Sequence, residues 1–264
     1  MNAKRFAVVA AGLLAALAGA SAQQIPVMPS PPLEFSGRVA LLLNTKWFDP
    51  MLEVQGHLEG VDKVFRYRAV TVGSYVRPLP NLKLGVFYRL QAGVRHDDDW
   101  QRTGDTQTPW AWTDTTGRLE HQLVVDLSPR FVLPFLPGRD WVFMLKTRYQ
   151  LSSYELQQSI LVRPTLSWFL MVDRMPVLTL AAAYGLYIPL NFGTPPFSQH
   201  GPYLEVLYHL GRYLKLELTG AWKTVLWSAS RELLDSDVVI PEGTFPLRYR
   251  AATIGLGVLV SVAP

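Results

Sequence analysis

The 264-residue chain has no cysteine, which excludes disulfides, thiolate metal sites and cysteine nucleophiles. A lipid anchor on a cysteine behind a signal sequence is excluded with them. Charged residues make up only 17% of the chain, below the ~25% of ordinary soluble domains. Charge of one sign is also scarce. The 25 Lys and Arg face 21 Asp and Glu. Once Lys4 and Arg5 are set aside with the N-terminal segment described next, 23 basic residues remain, a balance too even to mark a nucleic-acid binder. After that segment, no apolar run reaches the ~20 residues of a membrane-spanning helix.

What is present begins with an export pattern. Lys4 and Arg5 precede an apolar run from Phe6 to Ala18, which ends in small residues at Ala20-Ser21-Ala22. This predicts a signal peptide over 1–22, cleaved after Ala22, and the run is too short to be an anchor. Residues 23–32 hold Pro26, Pro29, Pro31 and Pro32 and read as an extended periplasmic leader. Residues 33–264 suit one all-β domain.

The dominant signal from there on is period two, which sends alternate side chains to opposite faces of a strand. In 82–95, Leu82, Leu84, Val86, Tyr88, Leu90, Ala92 and Val94 share one face, and Lys83, Arg89, Gln91 and Arg95 the other. The pattern recurs at 119–128, 141–151 and 156–171. Further strands are predicted at 35–47, 63–77, 177–190, 203–210, 213–228 and 247–262. Most reach the ~9–11 residues of a tilted membrane strand rather than the ~5–6 of a globular one.

The connections alternate between long polar loops, after Trp47, Arg95, Leu190 and Ser228, and tight turns at 78–81, 173–175 and 211–212. That asymmetry predicts an antiparallel up-and-down transmembrane β-barrel of about ten strands, within eight to twelve, in a bacterial outer membrane. Both chain ends would be periplasmic. Aromatic girdles are expected, with Trp47, Phe48, Trp100 and Tyr154 at the outer rim and Phe135, Trp141, Trp168 and Tyr213 at the inner one. Arg248 and Arg250 share parity with Ile254, Leu256, Val258 and Val260, so a bulge or a later strand start is expected in the last strand.

The face opposite the lipid collects Arg66, Arg68, Lys83, Arg89, Arg95, Glu120, Asp126, Lys146, Arg148, Arg163, Glu205, Lys215, Glu217 and Lys223. With both signs present, these residues would pair into a network filling a narrow lumen, since open channels need about 16–18 strands. Their cationic excess also suits a narrow pore for a small anionic solute. No cofactor is implied. Asp97-Asp98-Asp99 lacks the spaced ligands of a calcium loop and reads as a solvated charge run, so no metal is expected. Trp110 and Trp112 are expected to fasten their loop to the rim.

A lipid hydrolase would need a serine and a histidine in fixed geometry with a third group orienting the base. Ser198 and His200 are near in sequence but sit in the loop 193–201, and His121 and His209 read as an interfacial and a structural histidine. Arg66-Tyr67-Arg68, Arg118-Leu119-Glu120-His121-Gln122 and Arg130-Phe131 resemble uncharacterised outer-membrane β-barrel families with repeated Arg-aromatic-Arg and Arg-x-Glu strands. That resemblance implies location and fold and carries no catalytic residue.

Three readings follow. The first is a small outer-membrane barrel with a structural, interaction or limited transport role, its partners being outer-membrane lipids, lipopolysaccharide and a small anion. The second is a lipid-modifying barrel enzyme. The third is a soluble periplasmic barrel that encloses a ligand, with polar residues outward and apolar ones inward.

Overall fold

The computed structural model describes residues 33–262, apart from 46, 60–64, 103, 105–109, 137–139, 194–195, 238–239 and 241. The expected signal peptide, its cleavage site and the proline-rich leader lie outside the described residues.

Alternation of the kind seen in β7 (Leu119–Val132) builds the wall. There Leu119, His121, Leu123, Val125 and Leu127 are exposed on the outside, while Glu120, Gln122, Val124, Asp126 and Ser128 are buried inside. Ten other strands repeat it: β1 (Leu33–Leu43), β2 (Phe48–Leu58), β3 (Phe65–Leu79), β4 (Leu82–Ala92), β8 (Trp141–Ser152), β9 (Gln158–Val172), β10 (Met175–Pro189), β11 (Gln199–Leu210), β12 (Leu214–Trp227) and β13 (Leu247–Val262). They close into a barrel in the order β1-β13-β12-β11-β10-β9-β8-β7-β4-β3-β2. Two short strands, β5 (Trp100–Arg102) and β6 (Trp110–Trp112), form a separate hairpin in the β4–β7 connection. A 3-10 turn at Asp97–Asp99 precedes them, and a one-turn helix, α1 (Arg231–Leu234), lies between β12 and β13.

The strand that the sequence pattern did not announce is β2. Its Asp49-Pro50 reads as a turn, yet alternation runs through it, with Asp49 and Glu53 buried and Leu52 and Val54 exposed. Pro50 pairs with Ser74 of β3, and β1 pairs only as far as Met51. Its missing N–H therefore lies beyond the end of that ladder, where it costs little. Pro164 sits in the interior of β9 opposite Leu145, at a gap in the ladder to β10 between Ala183 and Leu186.

Eleven wall strands have a topological consequence. All neighbours are antiparallel except the closing pair, and β1 runs parallel to β13 in unbroken register from Leu33↔Ala252 to Leu43↔Val262. Leu33 and Val262 therefore lie at opposite mouths. The expectation that both ends share one side rested on an even strand count; with eleven wall strands Leu33 and Val262 do not share a mouth, and the residues before Leu33 lie outside the described ones.

The connections differ between the mouths, although the β7–β8 link (133–140) is longer than β8–β9 (153–157) at the opposite end. One mouth has the links β1–β2, β3–β4, β7–β8, β9–β10 and β11–β12, among them the tight turns at 80–81 and 173–174. The other has β2–β3, β4–β7, β8–β9, β10–β11 and β12–β13, including the two longest, 93–118 and 228–246. We call these the short-turn and long-loop mouths.

In β13 the phase holds throughout. Tyr249, Ala251, Gly255, Gly257 and Ser261 are buried inside, and neither ladder shifts register. The expected bulge does not occur. Arg248 and Arg250 simply point outward beyond the start of β1, near the rim, where long cationic side chains can reach water. Inside, Gly85 makes room for an edge-to-face pair of Tyr75 and Phe87 with centroids 4.7 Å apart. A Cβ at Gly85 would lie 2.5 Å from the Phe87 ring and 2.7 Å from that of Tyr75.

Candidate functional site: a charged lumen between two unlike mouths

The interior is polar. Asp49 and Asp126 are buried, as are Glu34, Glu53, Arg89, Gln91, Glu120, Gln122, Gln150 and Glu217, and a cavity of about 880 Å³ runs among the latter eight. A charge taken out of water must be paired and hydrogen-bonded to be tolerated, and the lumen is organised accordingly.

At mid-height Asp126 accepts from Arg148 Nε at 2.6 Å and Nη2 at 2.9 Å, and from Tyr75 Oη at 3.2 Å, with Lys146 Nζ also 3.2 Å away. Arg38 donates to Glu217 at 2.5 Å and lies 3.5 Å from Glu53. Glu205 lies within electrostatic reach of Arg38 and Arg163. Arg163 rests over the Tyr203 ring at 5.0 Å, and its Nε is buried without a hydrogen-bond partner among the described residues. Arg89 donates to Thr71 and Gln122.

Towards the long-loop mouth Glu34 accepts from Tyr249 and Lys223, each at 2.6 Å, and lies 2.8 Å from His57. Glu59 pairs with Arg66 at 2.9 Å and Arg95 at 2.6 Å. Towards the short-turn mouth Asp49 pairs with Arg77 at 2.5 Å and Lys83 at 3.3 Å.

Arg66, Lys83, Arg89, Arg95, Glu120, Asp126, Lys146, Arg148, Arg163, Glu205, Lys215, Glu217 and Lys223 therefore face inward. Arg68 does not. It is exposed on the outside of β3 and donates to the Thr116 carbonyl at 3.1 Å, because Tyr67 takes the inward position and reaches Gln91. Arg68→Gln should accordingly change the unfolding free energy measured in urea by less than about 0.5 kcal/mol, as for a surface site. Sequence reasoning also missed Glu34, Arg38, Asp49, Glu53, His57, Glu59, Arg77 and His96. The acids of β2 went with the strand, whereas Glu34 and Arg38 were legible from the alternation of β1.

The long-loop mouth is bridged. β4 and β12 stand on opposite walls of the barrel, yet the loops that leave them meet. Asp97 Oδ1 accepts from Ser228 N at 3.1 Å, and Asp98 Oδ1 from Arg231 N at 2.9 Å. Arg231 also pairs with Asp98 at 3.2 Å and with Glu155 of the β8–β9 loop at 2.5 Å. Trp112 stands edge-on to Trp227 at 5.0 Å and packs against Trp100 at 3.8 Å. Beneath them His96 stacks on Tyr154 at 3.7 Å between Glu120 and Gln157, each 2.8 Å away. Arg118 grips Asp99 with two bonds of 2.7 and 2.8 Å. Burial of Asp97 between these loops, with Asp98 adding repulsion, pushes its carboxyl up to about 6 against the hydrogen bonds from Ser228.

Asp97 and Asp98 thus tie separate loops together and Asp99 braces its own loop, so the three are not a solvated run. Trp100, expected in an outer girdle, is instead buried under this cap, as is Trp110. Trp47 and Phe48 are exposed, but at the short-turn rim rather than the other. Phe135, Trp141, Trp168 and Tyr213 share that rim, with Trp141 and Trp168 6.5 Å apart on neighbouring strands.

Ser198 lines the cavity and donates to the Tyr187 carbonyl at 3.4 Å, whereas His200 points outward to Tyr184 Oη at 2.9 Å. The barrel wall separates them, so they form no nucleophile–base pair. His121 meets Tyr88 Oη outside, and His209 meets Thr179 inside at 2.9 Å.

No protein-family model, curated protein or solved structure matches the chain.

Proposed function

We propose that this chain is an integral outer-membrane β-barrel whose lumen is a narrow pathway for small anions, restricted at the long-loop mouth by the cap. The observation that carries it is the inversion of the usual solubility pattern. Around the whole wall the outward positions are large and apolar, among them Val39 at 56% exposure, Val86 at 57%, Leu204 at 62% and Leu256 at 66%, while carboxylates and guanidinium groups fill the interior. An exposed apolar belt of this extent is not tolerated in water and is the lipid face that a membrane barrel needs. A soluble ligand-binding barrel would have the faces reversed. Wall strands of 11 to 16 residues are long enough to span.

On this reading, with long loops outside and short turns in the periplasm, Val262 would lie at the periplasmic mouth and Leu33 at the external one. The cap favours a second reading, a barrel that holds a solute without passing it, and one experiment separates the two. The folded protein should fractionate with outer membranes and migrate differently before and after boiling. In planar bilayers it should conduct chloride in small steps, with a reversal potential showing preference over potassium. A heat-modifiable membrane band with no conductance would leave the blind pocket. Recovery in the soluble periplasm would sink both readings.

A further inference from the structure

The short-turn mouth departs from the pairing that holds elsewhere in the lumen. Arg77 of β3, Lys83 of β4, Arg130 of β7 and Lys215 of β12 all occupy inward positions at that end. Asp49 is the only carboxylate that pairs with any of them among the described residues, and it engages Arg77 and Lys83. Arg130 is exposed to solvent, with only its backbone N–H committed, to Asn81. Lys215 lines the cavity. Neither side chain has a hydrogen-bond or ion-pair partner among the described residues. They spring from opposite walls, β7 and β12, yet lie within electrostatic reach of each other, and Arg130 is likewise close to Arg77. His209, bonded to Thr179, adds a further ring nitrogen beside Lys215.

We propose that this mouth is a binding site for multiply charged phosphate-class oxyanions, held by Arg130 and Lys215 from opposite sides with Arg77 and Lys83 as a second rank. The inference deepens the anion-pathway reading and rests on it for which side the solute arrives from. Asp49 pairs with two of the four cations and Glu205 lies within electrostatic reach of Lys215, so the four cations keep a surplus of two positive charges, which a single chloride does not neutralise and a pyrophosphate does. The ligand type follows from the donors. A guanidinium presents a fork that fits two oxyanion oxygens, and an ammonium supplies a compact charge for a third. Because the two unpaired cations face each other, an anion with two charged ends gains from both at once. Field lines focused by low-dielectric walls raise its local concentration at the mouth.

The probe is inorganic pyrophosphate, titrated into the full-length folded protein in detergent at low salt, with binding followed by calorimetry. Arg130→Gln with Lys215→Gln should weaken binding at least tenfold, and each single change about threefold to tenfold. Arg250→Gln, outward and at the other end, should leave it unchanged. Neither variant of the pair breaks an ion pair, and boiling-sensitive gel migration verifies that each folds. In bilayers, pyrophosphate should block chloride current from one side only.

Anion-selective current without pyrophosphate binding, or binding that the paired variant leaves intact, would overturn the site while sparing the pathway. Binding that depends on Arg130 and Lys215, in a protein that passes no current, would keep the site and remove the pathway.

Discussion

Replacing Asp126 by alanine is expected to lower the stability of the barrel by about 3–5 kcal/mol, the range for removing one member of a buried, hydrogen-bonded charge group. Asp126 is 0% exposed and is held by both Arg148 and Lys146, with Tyr75 as a third donor. Its loss leaves two cations facing each other, with Arg163 also in electrostatic reach of Lys146. The cost is then largely that of stranded charge rather than of lost bonds. A second change should therefore recover part of it: Lys146→Met in the Asp126→Ala background removes one stranded ammonium and should return about 1–2 kcal/mol. Urea unfolding in lipid vesicles, followed by tryptophan fluorescence, reads both. A loss under about 1 kcal/mol for Asp126→Ala would mean that water screens the mid-lumen freely, and the network would then be decoration on a wet channel.

The second large effect concerns the cap. Asp97 has its carboxyl raised to about 6 by burial between three loops, against an unfolded value near 3.8. Its own loop sets Asp98 and His96 beside it, the β12–β13 loop contributes Ser228, and the β10–β11 loop brings the backbone of Gly193 close. A raised folded value means that the fold prefers the protonated acid. The contribution is fully present below about pH 4 and is lost as the pH climbs through 6. Two units correspond to about 2–3 kcal/mol.

Asp97→Asn keeps an oxygen to accept from Ser228 N and carries no charge. It should stabilise the protein by about 2 kcal/mol at pH 8 and change little at pH 4. If the proposed pathway conducts, the variant should also pass less current at pH 8, because the loops are then tied more firmly. An Asn variant equally stable to the parent at both pH values would show that Asp97 is solvated and that the cap is loose.

Alternation was sufficient to reveal the wall because each strand of a one-layer barrel has a single inside and a single outside. Every neighbouring pair obeys the same parity, so Asp126, Lys146 and Arg148 could be placed together without knowing the pairing. The rule failed where local chemistry competes with it. Asp49-Pro50 has the composition of a turn, and only the ladder end beyond β1 makes the proline harmless. At Arg66-Tyr67-Arg68 two arginines flank one tyrosine, and charge alone suggests that both arginines face in. Arg68 stays outside in phase with Val70 and Val72, and the register shift beyond it, where His57 pairs with Tyr67 and Leu58 with Phe65, leaves Arg66 as the extra residue that turns in. Of the cap only the anchoring by Trp110 and Trp112 was legible, because loops that leave opposite walls share no period. What joins Asp97 to Ser228 and Asp98 to Arg231 is their position in space, more than 130 residues apart in the chain.

The parallel seam between β1 and β13 constrains engineering of the molecule. Leu33 and Val262 are separated by the length of β1, eleven residues, or roughly 36 Å of strand, and by the wall itself. A short peptide could not join them, so a circular permutant that is tolerated by most domains with neighbouring ends would here need a linker running through the lumen or around the rim. If the barrel spans a membrane as proposed, two epitopes grafted at those positions would face different compartments, and one barrel could then report on both sides.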